Sequence, residues 1–167
     1  MSHKEHKEKA EKSAGCAVLT ISDSRSKETD DSGKIIMDML KGNNHRVILY
    51  DIVKDEKDEI TGFVNEALSR SDIDAVITNG GTGMSKRDIT VEAISGMIEK
   101  KIPGFGELFR YLSYKEIGSA AMMSGASAGV CRGKVIISLP GSKNAVKLAM
   151  AELVLPEIGH IVWELKR

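Results

Sequence analysis

The sequence predicts an α/β protein built on a mainly parallel sheet that helices cover on both faces. Apolar runs short enough for buried strands alternate along the chain with segments whose apolar residues recur every three or four positions, as on one face of a helix. Polar or glycine-rich loops follow several of these strands directly, where parallel α/β proteins place their ligand contacts. With 167 residues, the chain is long enough to bury a core without disulfides or metals.

Composition and charge argue against several classes of function. The 24 basic and 24 acidic residues cancel, so we expect no nucleic-acid partner. No apolar run approaches the length of a membrane span and the N-terminus lacks an apolar signal segment, so we expect a cytoplasmic protein that does not bind membranes. The two cysteines, Cys16 and Cys131, each adjoin an apolar segment and are expected to be reduced and buried.

The first half of the chain alternates strands and helices. Residues 1–13 are mostly charged and are expected to form a flexible tail, which leaves residues 14–167 as a single domain. The elements expected next are a strand at 16–21, a helix from Gly33, a strand at 46–53, a helix that carries Ile60 and Leu68, and a strand that begins at Ala75. This order is typical of a parallel sheet whose ligand-binding loops lie at the carboxyl ends of the strands.

The second half is less regular. A proline and two glycines predict a turn before a helix that carries Leu108, Phe109 and Leu112, with Phe105 and Phe109 expected in the core. Residues 119–129 are mostly small, which predicts either close packing against a backbone or a flat ligand, or a tightly packed helix. A buried strand at 133–139 precedes a second glycine turn and then a helix that we expect Pro156 to break.

The strand that begins at Ala75 leads into a loop with three glycines, Gly80, Gly81 and Gly83. Glycine lets a backbone take positive φ and come close to a phosphate or a ring. The loop departs from both familiar phosphate-loop patterns, because Lys86 stands where a dinucleotide fingerprint needs glycine and no glycine directly precedes that lysine. A ligand-binding loop and a plain tight turn between strand and helix therefore both remain open.

The second glycine turn repeats this arrangement of strand, loop and helix start. Ser142 suits a helix cap, and Lys143 together with the free backbone N–H groups of a helix start suits a phosphate. Capping alone also explains this turn, so its sequence favours a ligand no more than a helix start.

Acidic and hydroxyl side chains stand in the other loops at the carboxyl ends of strands. Ser22 and Asp23 open the polar loop after the first strand, Asp55 opens the loop after the second, and Asp88 closes the glycine loop. Asp23, Asp55 and Asp88 can therefore face one cleft. A solvated turn for the first loop and a helix cap for Asp55 are the alternatives.

Four motifs in this order resemble the MoaB/Mog family of molybdopterin-binding proteins, to which the G domain of gephyrin is related. The motifs are Thr78-Asn-Gly-Gly-Thr-Gly83 with Arg87-Asp88, Pro103-Gly-Phe-Gly-Glu107, Ser124, and Leu139-Pro-Gly-Ser-Lys143. The resemblance covers roughly residues 14–165. It implies a three-layer α/β/α sandwich with a mainly parallel sheet.

The active members of this family transfer AMP from ATP to the terminal phosphate of molybdopterin, with magnesium, and release pyrophosphate. By position in the motifs, the resemblance implies that Asp55 and Asp88 hold Mg²⁺ and act in catalysis together with Ser124. The residues that it implies in ligand binding are Ser22, Asp23, Gly80, Gly81, Thr82, Gly83, Pro140, Gly141 and Ser142. The alternative function is a non-catalytic carrier or assembly protein for molybdopterin.

The resemblance also implies partners. The expected assembly is a homotrimer or homohexamer, for which residues 119–129 and 161–165 offer small or apolar surface. Besides ATP and molybdopterin, the expected partner is the downstream molybdate-insertion protein.

One departure from the family pattern is visible in the sequence. Many relatives carry arginine directly after the serine that matches Ser124, whereas this chain has Gly125. A contact to a phosphate or pterin is therefore missing. The cations that are candidates to replace it are Arg110, Arg132 and Lys143.

Overall fold

A six-stranded sheet forms the middle layer of the protein in a computed structural model that describes residues 10–167. Its strands are β1 (Gly15–Ile21), β2 (Arg46–Val53), β3 (Ala75–Asn79), β4 (Lys100–Lys101), β5 (Ser127–Cys131) and β6 (Lys134–Leu139). Their spatial order is β2-β1-β3-β6-β5-β4. The first four strands in this order are parallel, and β5 and β4 extend one side in antiparallel pairing. The expected mainly parallel sheet is confirmed.

Helices pack on both faces of this sheet. Those of the described chain are α1 (Asp31–Gly42), α2 (Lys57–Ser69), α3 (Thr90–Ser95), α4 (Pro103–Ile117), α5 (Lys143–Ala149) and α6 (Leu155–Lys166). A 3₁₀ segment at Gly118–Met123 follows α4, and a π-helical turn at Met150–Val154 joins α5 to α6.

Two apolar cores, one on each face, follow from the alternation of side chains along the strands. In β1, Cys16 and Val18 lie in the core that α1, α4, α5 and α6 cover, whereas Ala17 and Leu19 lie in the core that α2 and α3 cover. The protein is therefore a three-layer α/β/α sandwich, as the resemblance implies. Both cysteines are free and buried as expected, and burial raises the pKa of Cys16 to about 12.

Asp30 begins α1 and also fastens that helix to the sheet. Its carboxylate accepts hydrogen bonds from the backbone N–H of Gly33 at 2.9 Å and from the hydroxyls of Thr20 and Tyr50, each at 2.6 Å. Asp30 is 1% exposed, and these three donors offset the cost of burying its carboxylate. The N-terminus of α1 is thereby tied to β1 and β2 near the carboxyl end of the sheet.

The helix that follows β6 does not end at Pro156, so this expectation is wrong. The backbone stays helical through the π turn, with φ −61° and ψ −46° at Ala149 and φ −62° and ψ −39° at Leu155. Hydrogen bonds in a π turn reach one residue further along the chain than in an α-helix. The change of register places Pro156 in the first turn of α6, where its missing N–H has no intrahelical partner to lose.

The helix α4 carries Leu108 and Phe109, as expected, and Leu108 is 53% exposed. Consecutive residues on a helix point about 100° apart, so Leu108 and Phe109 do not face the same core. Phe109 is 1% exposed and lies in the core between α4 and the sheet, as expected.

The expected tail spans residues 1–13, of which residues 1–9 lie outside the described residues. The backbone N–H of Glu11 donates to the carbonyl of Gly159 in α6 at 3.0 Å, so contact with the domain begins by Glu11. Within residues 10–167, no helix is both long enough and apolar enough to cross a membrane.

Candidate functional site

A cleft of about 390 Å³ opens at the carboxyl ends of β3 and β6. Most of the predicted site residues line it: Gly80, Gly81, Thr82, Gly83, Asp88, Ser124, Pro140, Gly141 and Ser142. The fold therefore brings the two glycine turns and Ser124 together from three distant parts of the sequence.

The first glycine turn needs its glycines for its own shape. Gly80 and Gly81 have φ of 96° and 64°, in the left-handed region that favours glycine. A Cβ on Gly80 would lie 2.2 Å from the carbonyl oxygen of Ile21, and one on Gly81 would lie 2.2 Å from the hydroxyl of Thr90. Thr90 fixes the turn through its hydroxyl, which donates to the Gly80 carbonyl at 3.0 Å. A tight turn alone thus explains both glycines, and a ligand has to be argued from other residues.

Asp55 lies beside this turn and does not cap the helix that follows. The N-cap of α2 is Glu56, which makes no side-chain capping bond. The carboxylate of Asp55 instead accepts from the backbone N–H of Ile89 at 3.3 Å, and the residue is 8% exposed. A Cβ on Gly81 would lie 2.9 Å from both carboxylate oxygens. The helix-cap interpretation of Asp55 is therefore wrong.

The electrostatic surroundings of Asp55 favour a cation. Burial raises the pKa of Asp55, and the nearby carboxylates of Asp88 and Asp23 raise it further, against the opposing effects of the Ile89 N–H and of Arg87. A desolvated carboxylate beside other carboxylates gains from any positive charge that reaches it, whether a proton or a metal ion.

Asp88 reaches the cleft from the far end of the glycine loop. Its carboxylate accepts from the backbone N–H of Ser85 at 3.0 Å, and a Cβ on Gly83 would lie 2.8 Å from its Oδ2. The helix α3 starts at Thr90, and its N-cap, Ile89, makes no side-chain bond. Asp88 is therefore not used as a helix cap either.

Asp23 lies beside Asp55 but is already paired. Its Oδ1 accepts from the backbone N–H of Asp55 at 3.2 Å, and the guanidinium of Arg87 donates to both of its oxygens at 2.9 to 3.2 Å. These hydrogen bonds, that of the Asp55 N–H first, hold the pKa of Asp23 below its usual range. Ser22 turns back into its own loop, where its hydroxyl accepts two backbone N–H groups at 3.2 Å. The lining of the 390 Å³ cleft includes Asp88 but not Ser22, Asp23 or Asp55, so the expectation that the three aspartates face one cleft holds only for Asp88.

Ser124 stands on a turn that is pressed against the glycine loop. Its hydroxyl accepts from the backbone N–H of Ala126 at 3.3 Å. A Cβ on Gly125 would lie 2.4 Å from the carbonyl oxygen of Thr82, closer than a side chain allows. An arginine at position 125 would therefore require this turn to move away from the glycine loop.

None of the three candidate cations takes the place of that arginine in the cleft. The Nη1 of Arg110 donates to the carbonyls of Ser124 and Ala126 at 3.2 and 3.3 Å. Arg110 lines a separate cavity of about 250 Å³ rather than the cleft. Arg132 lies in the turn between β5 and β6, at the other end of the sheet. Lys143 pairs with Asp31 at 3.2 Å. Within the described chain, the lining of the cleft includes Asp88 but neither lysine nor arginine.

The second glycine turn is a helix start held by hydroxyl groups. Ser142 caps α5, as predicted, because its hydroxyl accepts from the backbone N–H of Ala145 at 3.2 Å. The hydroxyl of Ser32 in α1 donates to the carbonyl of Gly141 at 2.8 Å. A Cβ on Gly141 would lie 3.2 Å from the Cα of Gly80, so the two glycine turns are in direct contact.

The helix α4 and the 3₁₀ segment supply cleft residues that sequence reasoning missed. Phe109, Ser113 and Ile117 line the cleft together with Ala120 and Met123. The first three recur every four residues and so share one face of α4. This spacing was the available signal, but core packing alone was enough to explain Phe109.

Family comparison defines the class of protein. Residues 17–160 match the MoCF_biosynth family, described as a probable molybdopterin binding domain, and the chain belongs to this family. The resemblance that the four motifs predict is thereby confirmed.

Within this class, the chain is similar over its full length to molybdenum cofactor biosynthesis protein B. The protein of that name from Bacillus cereus is 52% identical over 168 residues, which span 100% of this chain and 99% of that protein. A crystal structure of a molybdenum cofactor biosynthesis protein B aligns with a TM-score of 0.92 at 52% identity, over 95% of this chain and 99% of the other. The tungsten cofactor synthesizing protein MoaB from Pyrococcus furiosus aligns with a TM-score of 0.85 at 38% identity, over 95% of this chain and 100% of the other.

Proposed function

We propose that this protein acts in molybdenum cofactor biosynthesis by transferring AMP from ATP to the terminal phosphate of molybdopterin, with Mg²⁺ and release of pyrophosphate. Membership of the family supports molybdopterin as the ligand. The observation that carries the transfer reaction is the pair of carboxylates, Asp55 and Asp88. They lie on separate loops beside the first glycine turn and cap neither of the helices that follow them.

The two carboxylates fit a magnesium ion in chemistry, charge and space. Mg²⁺ is usually bound by one or two carboxylates, with waters and substrate phosphates as the remaining ligands. The missing Cβ atoms of Gly81 and Gly83 leave room directly beside the oxygens of Asp55 and Asp88. Among the described residues no group of three or more histidine, cysteine or acidic side chains could hold a metal ion, so the remaining ligands would have to be waters and substrate phosphates.

The reaction needs alignment more than it needs a general base. A phosphate oxygen of molybdopterin forms a bond to the α-phosphorus of ATP while the bond from that phosphorus to the oxygen of pyrophosphate breaks on the opposite side. A phosphate monoester is largely dianionic at neutral pH, so neither Asp55 nor Asp88 has to remove a proton. When bound, Mg²⁺ would neutralise charge on the phosphates.

The residues of the chain itself would hold the two substrates in line. The backbone N–H of Gly80 donates to the carbonyl of Leu139 at 3.0 Å, so the N–H groups at 81–83 and those of Gly141 and Ser142 would be the ones that donate to phosphate oxygens, as such groups do at helix starts and glycine loops. The hydroxyl of Ser124 would orient the ligand from the opposite wall of the cleft. Holding reactants in this way is a large part of the catalysis of phosphoryl and nucleotidyl transfer.

A second candidate function is a non-catalytic carrier for molybdopterin. It is favoured by Gly125 and by the lining of the cleft, which within the described chain holds an acidic residue but no lysine or arginine. A carrier would use the glycine turns for binding and would leave Asp55 and Asp88 without a reaction to support.

Pyrophosphate release distinguishes the two functions. We expect purified protein with molybdopterin, ATP and MgCl₂ to release one pyrophosphate for each adenylylated molybdopterin formed. Tight binding of molybdopterin without pyrophosphate would overturn the transferase and leave the carrier. A protein that neither binds molybdopterin nor releases pyrophosphate would exclude both functions.

The proposed assembly is a homotrimer or a pair of trimers. The segment at 161–165 offers little apolar surface to a partner, because Val162 is buried in the core and Ile161 and Leu165 pack against that core. Apart from Met84 in the glycine loop, the large apolar side chains of the described residues that are more than half exposed lie instead on α4 and the 3₁₀ segment: Leu108, Tyr111, Tyr114, Ile117, Met122 and Met123. Such a patch supports self-association.

Sedimentation tests this assembly. A stable monomer at micromolar concentration would overturn it, and a dimer would exclude its threefold form.

A further inference from the structure

One guanidinium joins the three loops that surround the proposed magnesium site. Arg87 stands in the loop after β3, and its Nε and Nη2 donate to the carboxylate of Asp23 in the loop after β1, at 2.9 to 3.2 Å. Its Nη1 donates to the carboxylate of Glu56 in the loop after β2, at 3.0 Å. These bonds join positions that lie 64 and 31 residues apart in sequence.

Each loop that Arg87 joins carries, or touches, a proposed magnesium ligand. Asp88 directly follows Arg87, and Asp55 directly precedes Glu56. Asp23 links the two sides, because the oxygen that accepts from Arg87 also accepts from the backbone N–H of Asp55 at 3.2 Å. A rotation of the glycine loop that displaced Asp88 from Asp55 would therefore have to break the bonds of Arg87.

We propose that Arg87 is a positioning residue, which sets the separation of Asp55 and Asp88 for a divalent cation by clamping their loops through Asp23 and Glu56. The inference rests on the proposed function, since it assigns Mg²⁺ to these two carboxylates. The clamp contributes little to folding, because the side chains of Arg87, Asp23 and Glu56 are 57%, 46% and 53% exposed and exposed ion pairs add little to stability. Its geometry is nevertheless specific, since a planar guanidinium bonds two oxygens of one carboxylate in a fixed orientation.

Positioning and electrostatics predict opposite results when Arg87 is removed. A positive charge beside the site repels a divalent cation, so loss of that charge alone would tighten cation binding. Loss of the clamp would weaken binding, because the two carboxylates would no longer be held at one separation. The sign of the change in affinity therefore reports which effect dominates.

The test measures Mn²⁺, as a paramagnetic substitute for Mg²⁺, by electron paramagnetic resonance of the free ion in the absence of substrates. We expect Arg87→Met to weaken Mn²⁺ binding by roughly 10-fold or more, the usual cost of losing a residue that orients metal ligands. Arg87→Lys, which keeps the charge but loses the planar fork, is expected to weaken binding in the same direction. Unchanged or tighter binding in Arg87→Met overturns the inference.

Arg70→Met is the matched control. Arg70 makes the same kind of exposed bidentate pair, with Asp72 at 2.8 and 2.9 Å, but follows the last residue of α2, away from the cleft. Its loss is expected to leave Mn²⁺ affinity unchanged. An equal loss of affinity in Arg70→Met would show that the effect of Arg87 is not local, which also counts against the clamp.

Hydrogen exchange of the metal-free protein gives a second readout. We expect backbone amides from Thr82 to Ile89 to exchange faster in Arg87→Met than in wild type, while the amides of α5 are unchanged. Unaltered exchange in the glycine loop overturns the clamp even if Mn²⁺ affinity falls.

The failure of this inference is distinguishable from failure of the proposed function. If wild type binds Mn²⁺ and both Arg87 variants bind it equally well, the clamp is wrong and the magnesium site stands. If wild type shows no saturable Mn²⁺ binding that Asp55→Asn or Asp88→Asn abolishes, the magnesium assignment itself is wrong, and the role of Arg87 toward it is overturned as well.

Discussion

The two glycine turns differ in how completely the fold explains their residues. In the turn after β6, Ser142 caps α5 and Ser32 holds the carbonyl of Gly141, so each polar group serves a helix start. In the turn after β3, Gly80 and Gly81 serve the backbone, but the carboxylates of Asp55 and Asp88 cap no helix. Acidic groups that cap no helix therefore remain at the first turn, and the proposed transfer reaction assigns them to magnesium.

The largest expected effect is on the reaction. Asp55→Asn and Asp88→Asn each keep the shape of the side chain and remove one negative charge. We expect either change to reduce pyrophosphate release by about 10²- to 10⁴-fold, or roughly 3 to 5 kcal/mol of transition-state stabilisation, with molybdopterin binding almost intact. Single-turnover assays at several magnesium concentrations measure this loss.

Asp31→Asn is the control for the comparison, because Asp31 is an exposed carboxylate paired with Lys143 beside the second turn. Its rate is expected to stay within about twofold of wild type, as for most surface substitutions. Equal rates in wild type and all three variants would remove the catalytic assignment and make the two turns equivalent.

The next effect is on stability, where a glycine-to-alanine change should cost more in the first turn than in the second because only the first turn requires positive φ. Gly80→Ala is expected to cost about 2 to 4 kcal/mol, because it combines a positive φ with a Cβ pressed on the Ile21 carbonyl. Gly141→Ala meets only the Cα of Gly80 at 3.2 Å and should cost about 1 kcal/mol or less. Urea unfolding of the two variants measures the difference. Equal losses would contradict the view that only the first turn is strained without glycine.

Local patterns in the sequence were enough to predict the layers of the fold, but not the strand β5 or the π turn that connects α5 to α6. Apolar periodicity located β1, β2, β3 and β6 with α1 and α2 because each element buries a regular face. The strand β5 was missed, since Ser127–Cys131 is a run of small residues whose extended form depends on pairing with β6. Pro156 was misjudged because a π turn precedes it and leaves it in the first turn of α6, and the proline alone does not signal that turn.

The candidate site shows the same limit. Both glycine turns were visible in the sequence because glycine and a following helix start leave a local signature. The link of Arg87 to Asp23 was not visible, because it joins residues 64 positions apart whose meeting depends on the order of the strands. For the same reason, sequence left the helix cap open for Asp55, whereas the structure places its carboxylate against Ile89 of another loop.

A smaller effect concerns the cap of the second turn. Ser142→Ala removes the acceptor for the Ala145 N–H and should cost about 1 kcal/mol, the usual value for a helix cap. Urea unfolding measures this loss, and Ser142→Asp should restore most of it because aspartate also caps well. If Ser142→Ala left stability unchanged, the hydroxyl would not be needed for the helix start, and a ligand role would be its remaining explanation.

The smallest expected effect is on stability, where removing the charge of Asp55 and removing the charge of Asp23 should change the free energy of unfolding in opposite directions. Burial first, and then Asp88 and Asp23, raise the pKa of Asp55, so its ionised form destabilises the folded state at neutral pH, and this penalty disappears as the pH falls through the folded pKa. Hydrogen bonds from the Asp55 N–H and Arg87 lower the pKa of Asp23, so its ionised form stabilises the folded state above the unfolded pKa, and this gain is lost as the pH falls. Without magnesium, Asp55→Asn should therefore be more stable than wild type at pH 7, and Asp23→Asn less stable. The Asp55 difference should shrink as the pH falls to the unfolded pKa of about 4, whereas the Asp23 difference should shrink only below that pH. Urea midpoints across this range measure both variants. A loss of stability in Asp55→Asn at pH 7 would show that its charge is already compensated in the folded protein, and would weaken the case that this carboxylate is kept for a cation.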